Sequence, residues 1–232
     1  MELKVIAYAR NGHTDKFGIP RQSREESPIL TRIVFEPEFS ILDSIRELEK
    51  FSHIWIIWGF SEVDSWSPTV RPPRLGGNKR VGVFATRSPF RPNPLGLSSV
   101  KLLGIRQSAT GHQIELIVSG ADLMDGTPIY DIKPYLSFSD SHPEAVNGFA
   151  EETKDYHLDV RWDNVRCTKD VPEEIMEDIE YILSQDPRPA YQADPTRVYK
   201  MDYAGWRVEF SVDDLKSRVY IQSIYKVKYD TL

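Results

Sequence analysis

Residues 53–60 read HIWIIWGF, a run that is apolar on both faces and rich in aromatic and β-branched side chains. A half-solvated strand alternates apolar with polar residues, so a run without alternation predicts a central strand covered on both sides. Upstream, Leu3, Val5 and Ala7 alternate with their neighbours, and TRIVFE at 31–36 places Ile33 and Phe35 on one face, so both stretches read as strands. Between them and the central strand, Ile41, Leu42, Ile45 and Leu48 recur at helical spacing after Ser40 as a candidate cap, with Glu47 and Lys50 left for solvent, which predicts a short amphipathic helix. Downstream, VGVFATR (81–87), LSSVKLLGI (97–105) and QIELIVSG (113–120) are three further strand candidates separated by Gly, Pro and Asn. DGTP at 125–128 is a strong turn signal that closes this strand-rich half.

From about 140 to 170 the composition becomes polar and acidic, and WDNV (162–165) is the one part of it expected to pack. Pro172 then opens a helix with Ile175, Ile179, Ile182 and Leu183 on one face. TRVYKMDY, WRVEFSV and RVYIQSIYKV finish the chain as strands, and Tyr203-Ala204-Gly205 between the first two suggests a hairpin. The expected class is α+β: a first domain over residues 1–140, a linker or crossing segment over 141–170, and a small α+β domain over 171–232.

At 232 residues the chain is long enough to bury a substantial core, and no apolar run approaches the roughly 18 residues that a membrane span requires. The N-terminus MELKVIAYAR does not look like a signal peptide, and a lone cysteine, Cys167, cannot form an internal disulfide, which fits a reducing cytoplasm. The net charge of -6 argues against an indiscriminate nucleic-acid binder, but the charge is segregated. Residues 65–114 contain no Asp or Glu and eight Arg or Lys, so the rest of the chain carries -14. Such partition is what a localised anion-binding site looks like in sequence.

Neither G-x-G-x-x-G nor the P-loop string occurs, so the common dinucleotide and nucleotide cradles drop out. No G-x-S-x-G occurs, and the five histidines with one cysteine show no metal-ligand spacing, so no metal is expected. The informative segment is 68–96, PTVRPPRLGGNKRVGVFATRSPFRPNPLG. Its prolines hold irregular backbone in one shape, its glycines allow close approach to a ligand, and its arginines offer donor forks suited to carboxylate or phosphate. The strand-like VGVFATR in its middle favours an ordered binding loop over a solvated linker.

PRQ (20–22), FSHIWIIWGF (51–60), the 68–96 segment and LMDGTPIYDIKPY (123–135), in this order, resemble the TrmO family, also known as TsaA-like or VirR-like proteins, and QDPRPAY (185–191) resembles a tag of that family's C-terminal extension. The resemblance implies a small β-barrel in place of a Rossmann sheet, and a homodimer with the cofactor site near the subunit interface. It also implies S-adenosylmethionine-dependent methylation of N6 of N6-threonylcarbamoyladenosine at position 37, in the anticodon loop of threonine tRNA. Two other readings stand beside it: a non-enzymatic, cofactor-sensing RNA-binding module, and a methyltransferase for a small molecule.

Carried over residue by residue, Pro20, Arg21 and Gln22 resemble the family's cofactor-contacting N-terminal loop. Ser61 and Glu62 stand where bacterial members often have His-Gln, so only backbone contacts transfer there. Arg87 resembles a cofactor-contacting arginine, and Leu123, Asp125, Gly126 and Thr127 resemble the turn beside the adenosine, although turn chemistry alone also accounts for Asp125. For the proton on the acceptor nitrogen, Asp131 and Tyr135 are candidate partners, with structural roles equally open. Arg71, Arg74, Arg80 and Arg91 suit the threonyl carboxylate and flanking phosphates, and Arg188 and Tyr191 are candidates to clamp or stack on an anticodon-loop base.

Overall fold

The structure is a computed structural model that describes residues 2–20, 22–23, 27–72, 79–108, 113–154, 156–163, 165–167, 170–188, 194 and 196–227. Arg21, Arg74 and Tyr191, all expected site residues, lie outside the described residues. The first half supplies β1 (Ala7–Arg10), β2 (Leu30–Phe35), β3 (His53–Gly59), β4 (Thr69–Val70), β5 (Val81–Gly82), β6 (Leu95–Gln107), β7 (Ile114–Ser119) and β8 (Pro128–Pro134). Six of these close into an antiparallel barrel in the order β1-β2-β7-β6-β3-β8, while β4 and β5 pair as a separate two-stranded ribbon. Closure leaves the barrel strands without a free edge.

HIWIIWG is central, as its composition predicts: β3 pairs with β6 on one side and β8 on the other. Ile54, Ile56 and Trp58 point inward and join Ala7, Ala9, Ile33, Leu116, Val118 and Ile129 in the barrel core. Each fully buried Ile, Leu or Val side chain there contributes roughly 2 kcal/mol of transfer free energy. The outer face is apolar because it is covered locally. Trp55 donates its indole N–H to the Asp140 carboxylate at 2.8 Å, and its ring lies 5.5 Å from that of Tyr135, so β8's end and α1 (Ser137–Asp140) close over it.

Two expectations fail for local reasons. The helix expected over Ile41–Leu48 is instead a series of 3₁₀ turns at Pro37–Phe39, Leu42–Ile45 and Leu48–Lys50. Arg46 is extended and Glu47 has φ 73°, which breaks any continuous helix, and Ser40 uses its hydroxyl to accept from the Ile114 amide rather than to cap. VGVFATR is a strand only at Val81–Gly82; Val83–Ala85 turns, burying Val83 and leaving Phe84 exposed.

The second half builds a five-stranded sheet from β9 (Asp159–Arg161), β10 (Arg166–Cys167), β11 (Tyr199–Tyr203), β12 (Trp206–Asp213) and β13 (Arg218–Lys226), with α2 (Glu173–Ser184) contributing Ile179, Ile182 and Leu183 to the core beneath it. The β11–β12 hairpin turns at Ala204 (φ 48°) and Gly205 (φ 80°), the two positive dihedrals that a two-residue loop matching strand twist requires. β9 and β10 come from the stretch expected to be a crossing segment, yet both pair with β13 in parallel. Residues between β1 and β2 leave the barrel and enter this second core: Ile29 is buried in it, Phe17 stacks on Tyr199 and Phe210, and Gly18 lies against Met201. The connection that carries PRQ is therefore also the seam between the two cores.

Candidate active site

In an antiparallel barrel, strands alternate in direction, so the ends of β1, β3 and β7 and the starts of β2, β6 and β8 share one rim. Among the described residues, the cofactor-contact expectations fall in loops at that rim: Pro20 and Gln22 between β1 and β2, Ser61 and Glu62 after β3, Arg87 before β6, and Leu123, Asp125, Gly126 and Thr127 between β7 and β8. The loops meet there. Arg87 donates to the Gln22 side-chain oxygen at 2.6 Å, bringing together two residues 65 positions apart. Pro20 is buried, Arg87 is exposed, and Ser61 and Glu62 are exposed, with Glu62 paired to Lys16 at 3.1 Å.

The 123–127 turn is tied down from both sides. Asn11 donates its backbone N–H to the Asp125 carboxylate at 3.1 Å and its side-chain amide to the Leu123 carbonyl at 2.9 Å. The Asp125 amide donates to the His13 carbonyl, and Gly126, at φ 79°, donates to the Ala9 carbonyl. Leu123 and Thr127 are buried, so Asp125 shapes this turn through its bond from Asn11 and through a 3.6 Å ion pair with Arg10.

One rim residue escaped the sequence reading. Asp122 is half-buried between Ala121 and Leu123, and its carboxylate accepts from the Ser98 hydroxyl, which in turn accepts the Trp58 indole N–H at 2.9 Å. Desolvation pushes its carboxyl above the usual range, opposed by the Ser98 hydrogen bond, the positive charge of Arg87 and a backbone bond from Ser23. Asp122 thus links β6, Arg87 and the PRQ loop at one point. The signal was present: an acid set between two apolar residues in GADLMDGTP.

Other expected residues are placed differently. Asp131 sits outward in mid-β8, paired with Lys133 at 2.8 Å. The Tyr135 amide donates to the His53 carbonyl at the start of β3, which puts Tyr135 at the opposite end of the barrel. Within one chain neither joins the rim cluster. Arg91 turns its guanidinium inward onto the Val83 and Thr86 carbonyls at 3.1 and 2.7 Å, so it braces its own loop. Arg188 is 5% exposed and directs its guanidinium to the Asp186 and Asp214 carboxylates inside the C-terminal domain. Arg71 and Arg80 are exposed and flank the Val70–Val81 pair at the end of the β4–β5 ribbon.

Residues 8–141 match the model of the tRNA-methyltransferase O N-terminal domain, and residues 156–227 match that of the TrmO C-terminal domain. The chain belongs to the tRNA-methyltransferase O family. Within it, the chain is 48% identical over 180 residues to the tRNA (adenine(37)-N6)-methyltransferase of Eikenella corrodens, an alignment covering 77% of this chain and 99% of that protein. It is 38% identical to the putative S-adenosylmethionine-dependent methyltransferase RcsF of Pseudomonas aeruginosa strain PAO1, over 85% of this chain and 86% of the other. The crystal structure of TrmO from Pseudomonas aeruginosa superposes with a TM-score of 0.74 at 28% identity, covering 97% of this chain and 98% of that one. Both TrmO domains thus have their counterparts in the barrel and the five-stranded sheet. Among the described residues no helix is long and apolar enough to cross a membrane, and no cluster of three metal-ligating side chains occurs.

Proposed function

We propose that this TrmO-family chain is an S-adenosylmethionine-dependent methyltransferase acting on N6 of adenine-37 in tRNA, and that the adenine it modifies carries a threonylcarbamoyl group in threonine tRNA. The observation that carries the reading is the convergence of three sequence-distant connections on one barrel rim around Arg87, Gln22 and Asp122. The donor set fits the cofactor. Arg87 offers a guanidinium fork for the methionyl carboxylate, Asp122 and Glu62 offer carboxylates for the cationic centre and the ribose hydroxyls, and buried Pro20 and Leu123 back the rim with apolar surface.

When bound, S-adenosylmethionine supplies an activated methyl group on a sulfonium and departs as the neutral thioether. The chain's own task is to align the acceptor nitrogen and to receive its proton, because that nitrogen's lone pair is delocalised into its carbonyl neighbour. Asp122 takes this role in the proposal: as the N–CH₃ bond forms and the N–H bond breaks, its carboxylate accepts the proton, with Ser98 and Trp58 fixing its orientation. Arg71 and Arg80 meet the threonyl carboxylate and the anticodon-loop phosphates.

The same rim carries Trp66, Phe84, Phe90 and Leu97, each 45–74% exposed. A second copy covers this apolar surface in the proposed homodimer, which sits in the cytoplasm in keeping with the lone Cys167. Incubation with methyl-labelled S-adenosylmethionine and tRNA from cells lacking the gene, followed by mass spectrometry of nucleosides, tests the function. Label in N6-methyl-N6-threonylcarbamoyladenosine is expected; its absence from every tRNA nucleoside overturns the reading.

A further inference from the structure

We infer that the outer wall of the barrel carries a second RNA-contacting site, a groove lined by Arg10, Arg32 and Arg106 that takes backbone phosphates of the tRNA outside the anticodon loop. The inference rests on tRNA being the substrate. A cavity of about 370 Å³ opens on this wall, with Arg10, Arg32 and Arg106 around it, Leu30 and Ile117 lining its apolar part, and Asp125 at one end.

Strand register explains its shape. Arg10 on β1 pairs with Arg32 on β2, Arg32 with Ile117 on β7, and Ile117 with Gly104 on β6, forming one row across four strands. Long side chains stand at the β1–β2 side of this row. At the β6 side a Cβ built on Gly104 would meet nothing within 4 Å, and Ile117 lies low between them at 7% exposure. Arg106, two residues past Gly104 and therefore on the same face, closes the far side. The depression follows from an Ile and a Gly set between arginines.

The electrostatics suit a phosphodiester. Arg10 is held by Asp125 at 3.6 Å and Arg32 by Glu115 at 3.4 Å, long pairs whose arginine side chains are about half exposed and so open to a competing phosphate. Arg106 stands opposite Glu115 in the register yet makes no ion pair among the described residues. Three donor forks over an apolar floor match phosphate oxygens with a ribose edge laid on Leu30 and Ile117. The groove also starts at the Asp125 turn of the proposed active rim and runs down the wall toward Arg106. A tRNA seated at the rim therefore meets it without bending away.

The test measures tRNA binding by fluorescence anisotropy across a salt series for the parent chain, Arg32→Glu, Arg106→Glu and Arg106→Lys, alongside calorimetric titration with S-adenosylmethionine. Each charge reversal is expected to weaken tRNA binding about tenfold and to lower the slope of log affinity on log salt by about one for each phosphate that is no longer neutralised. Arg106→Lys should keep the parent slope, and cofactor affinity should not move in any variant. Parent binding of tRNA with both reversals leaving affinity and slope unchanged overturns the groove alone. Failure of the parent to bind tRNA at all overturns both the groove and the function it rests on.

Discussion

The backbone amide of Asp125 donates to the carbonyl of His13 at 2.9 Å, so the turn at the candidate rim hangs on a residue buried in the seam between the two cores. His13 packs edge-on against Tyr203 at 5.2 Å, and Tyr203 donates its hydroxyl to Asp178 of α2 at 2.6 Å. A continuous path of packed and hydrogen-bonded groups thus runs from α2 in the C-terminal domain to the 123–127 turn. The path ties the C-terminal domain to the rim turn.

Burial holds the His13 imidazole down at about 4, against 6.5 in the unfolded chain, and its Nε2 finds no hydrogen-bond partner among the described residues. The unfolded chain therefore binds the extra proton first. Stability is complete above pH 6.5 and falls as the pH drops from 6.5 toward 4, by at most about 1.4 kcal/mol per pH unit from this group. His13→Phe keeps the edge contact with Tyr203 and removes the titration. Urea denaturation of both proteins between pH 7 and 4 should show a flatter dependence for the variant; parallel curves would show that His13 is not the sensor.

Gly12 tests the same seam mechanically. A Cβ at this position would lie 2.7 Å from the Tyr203 ring, whose hydroxyl is anchored on Asp178 and cannot simply swing away. Gly12→Ala should cost about 1–3 kcal/mol by overpacking. Because the Ala204 amide also bonds the Gly12 carbonyl, the shift should reach the rim and weaken S-adenosylmethionine binding several-fold, measured by calorimetry beside thermal melts. A destabilised variant with unaltered cofactor affinity would sever the proposed link.

Much of the barrel was legible because its signal is local. HIWIIWG and QIELIVSG carry strand composition in their own residues, and the Tyr203–Gly205 turn announces its dihedrals through glycine. The failures are cases where a tertiary contact overrides the pattern. Ile41 and Leu42 have helical spacing but remain more than half exposed, because Ser40 serves β7 and Glu47 turns left-handed. At the site, motif strings located the rim loops but not Asp122, whose character comes from Ser98 and Arg87, 24 and 35 positions away, nor the Arg10–Arg32–Arg106 groove, which exists only once strands from both ends of the barrel are in register. Arg188 shows a different gap between pattern and fold. An arginine between two prolines reads as a presented side chain, and only the fold reveals Asp214 waiting for it.

For Arg188 the consequence is measurable. Truncating it leaves Asp186 and Asp214 facing each other across a site that is closed to solvent on the Asp186 side. Arg188→Ala should destabilise the protein by roughly 2–4 kcal/mol, below the top of the range for buried pairs because Asp214 is 42% exposed. The salt slope of tRNA binding should stay at the parent value at a temperature where the variant is folded. A reduced slope would return Arg188 to the RNA surface.

Asp122→Asn separates chemistry from architecture. The amide can still accept from Ser98 but cannot take a proton, so turnover at saturating substrates should fall about 10²–10⁴-fold if Asp122 receives the acceptor's proton. In the parent, turnover should rise with pH along an acidic limb lying above the ordinary aspartate value of 3.8, since desolvation raises this carboxyl, and the variant should lose that limb. The stability readout carries the opposite sign from a structural role. A carboxyl raised by burial is ionised at a cost to the fold at neutral pH, so removing its charge should leave melting unchanged or higher, apart from the attraction to Arg87 that goes with it. Single-turnover kinetics between pH 5 and 9, with thermal melts of both proteins, decide it: a variant that melts early while its residual activity keeps the parent pH profile would make Asp122 a brace for Arg87 and the PRQ loop, and would move the proton acceptor elsewhere.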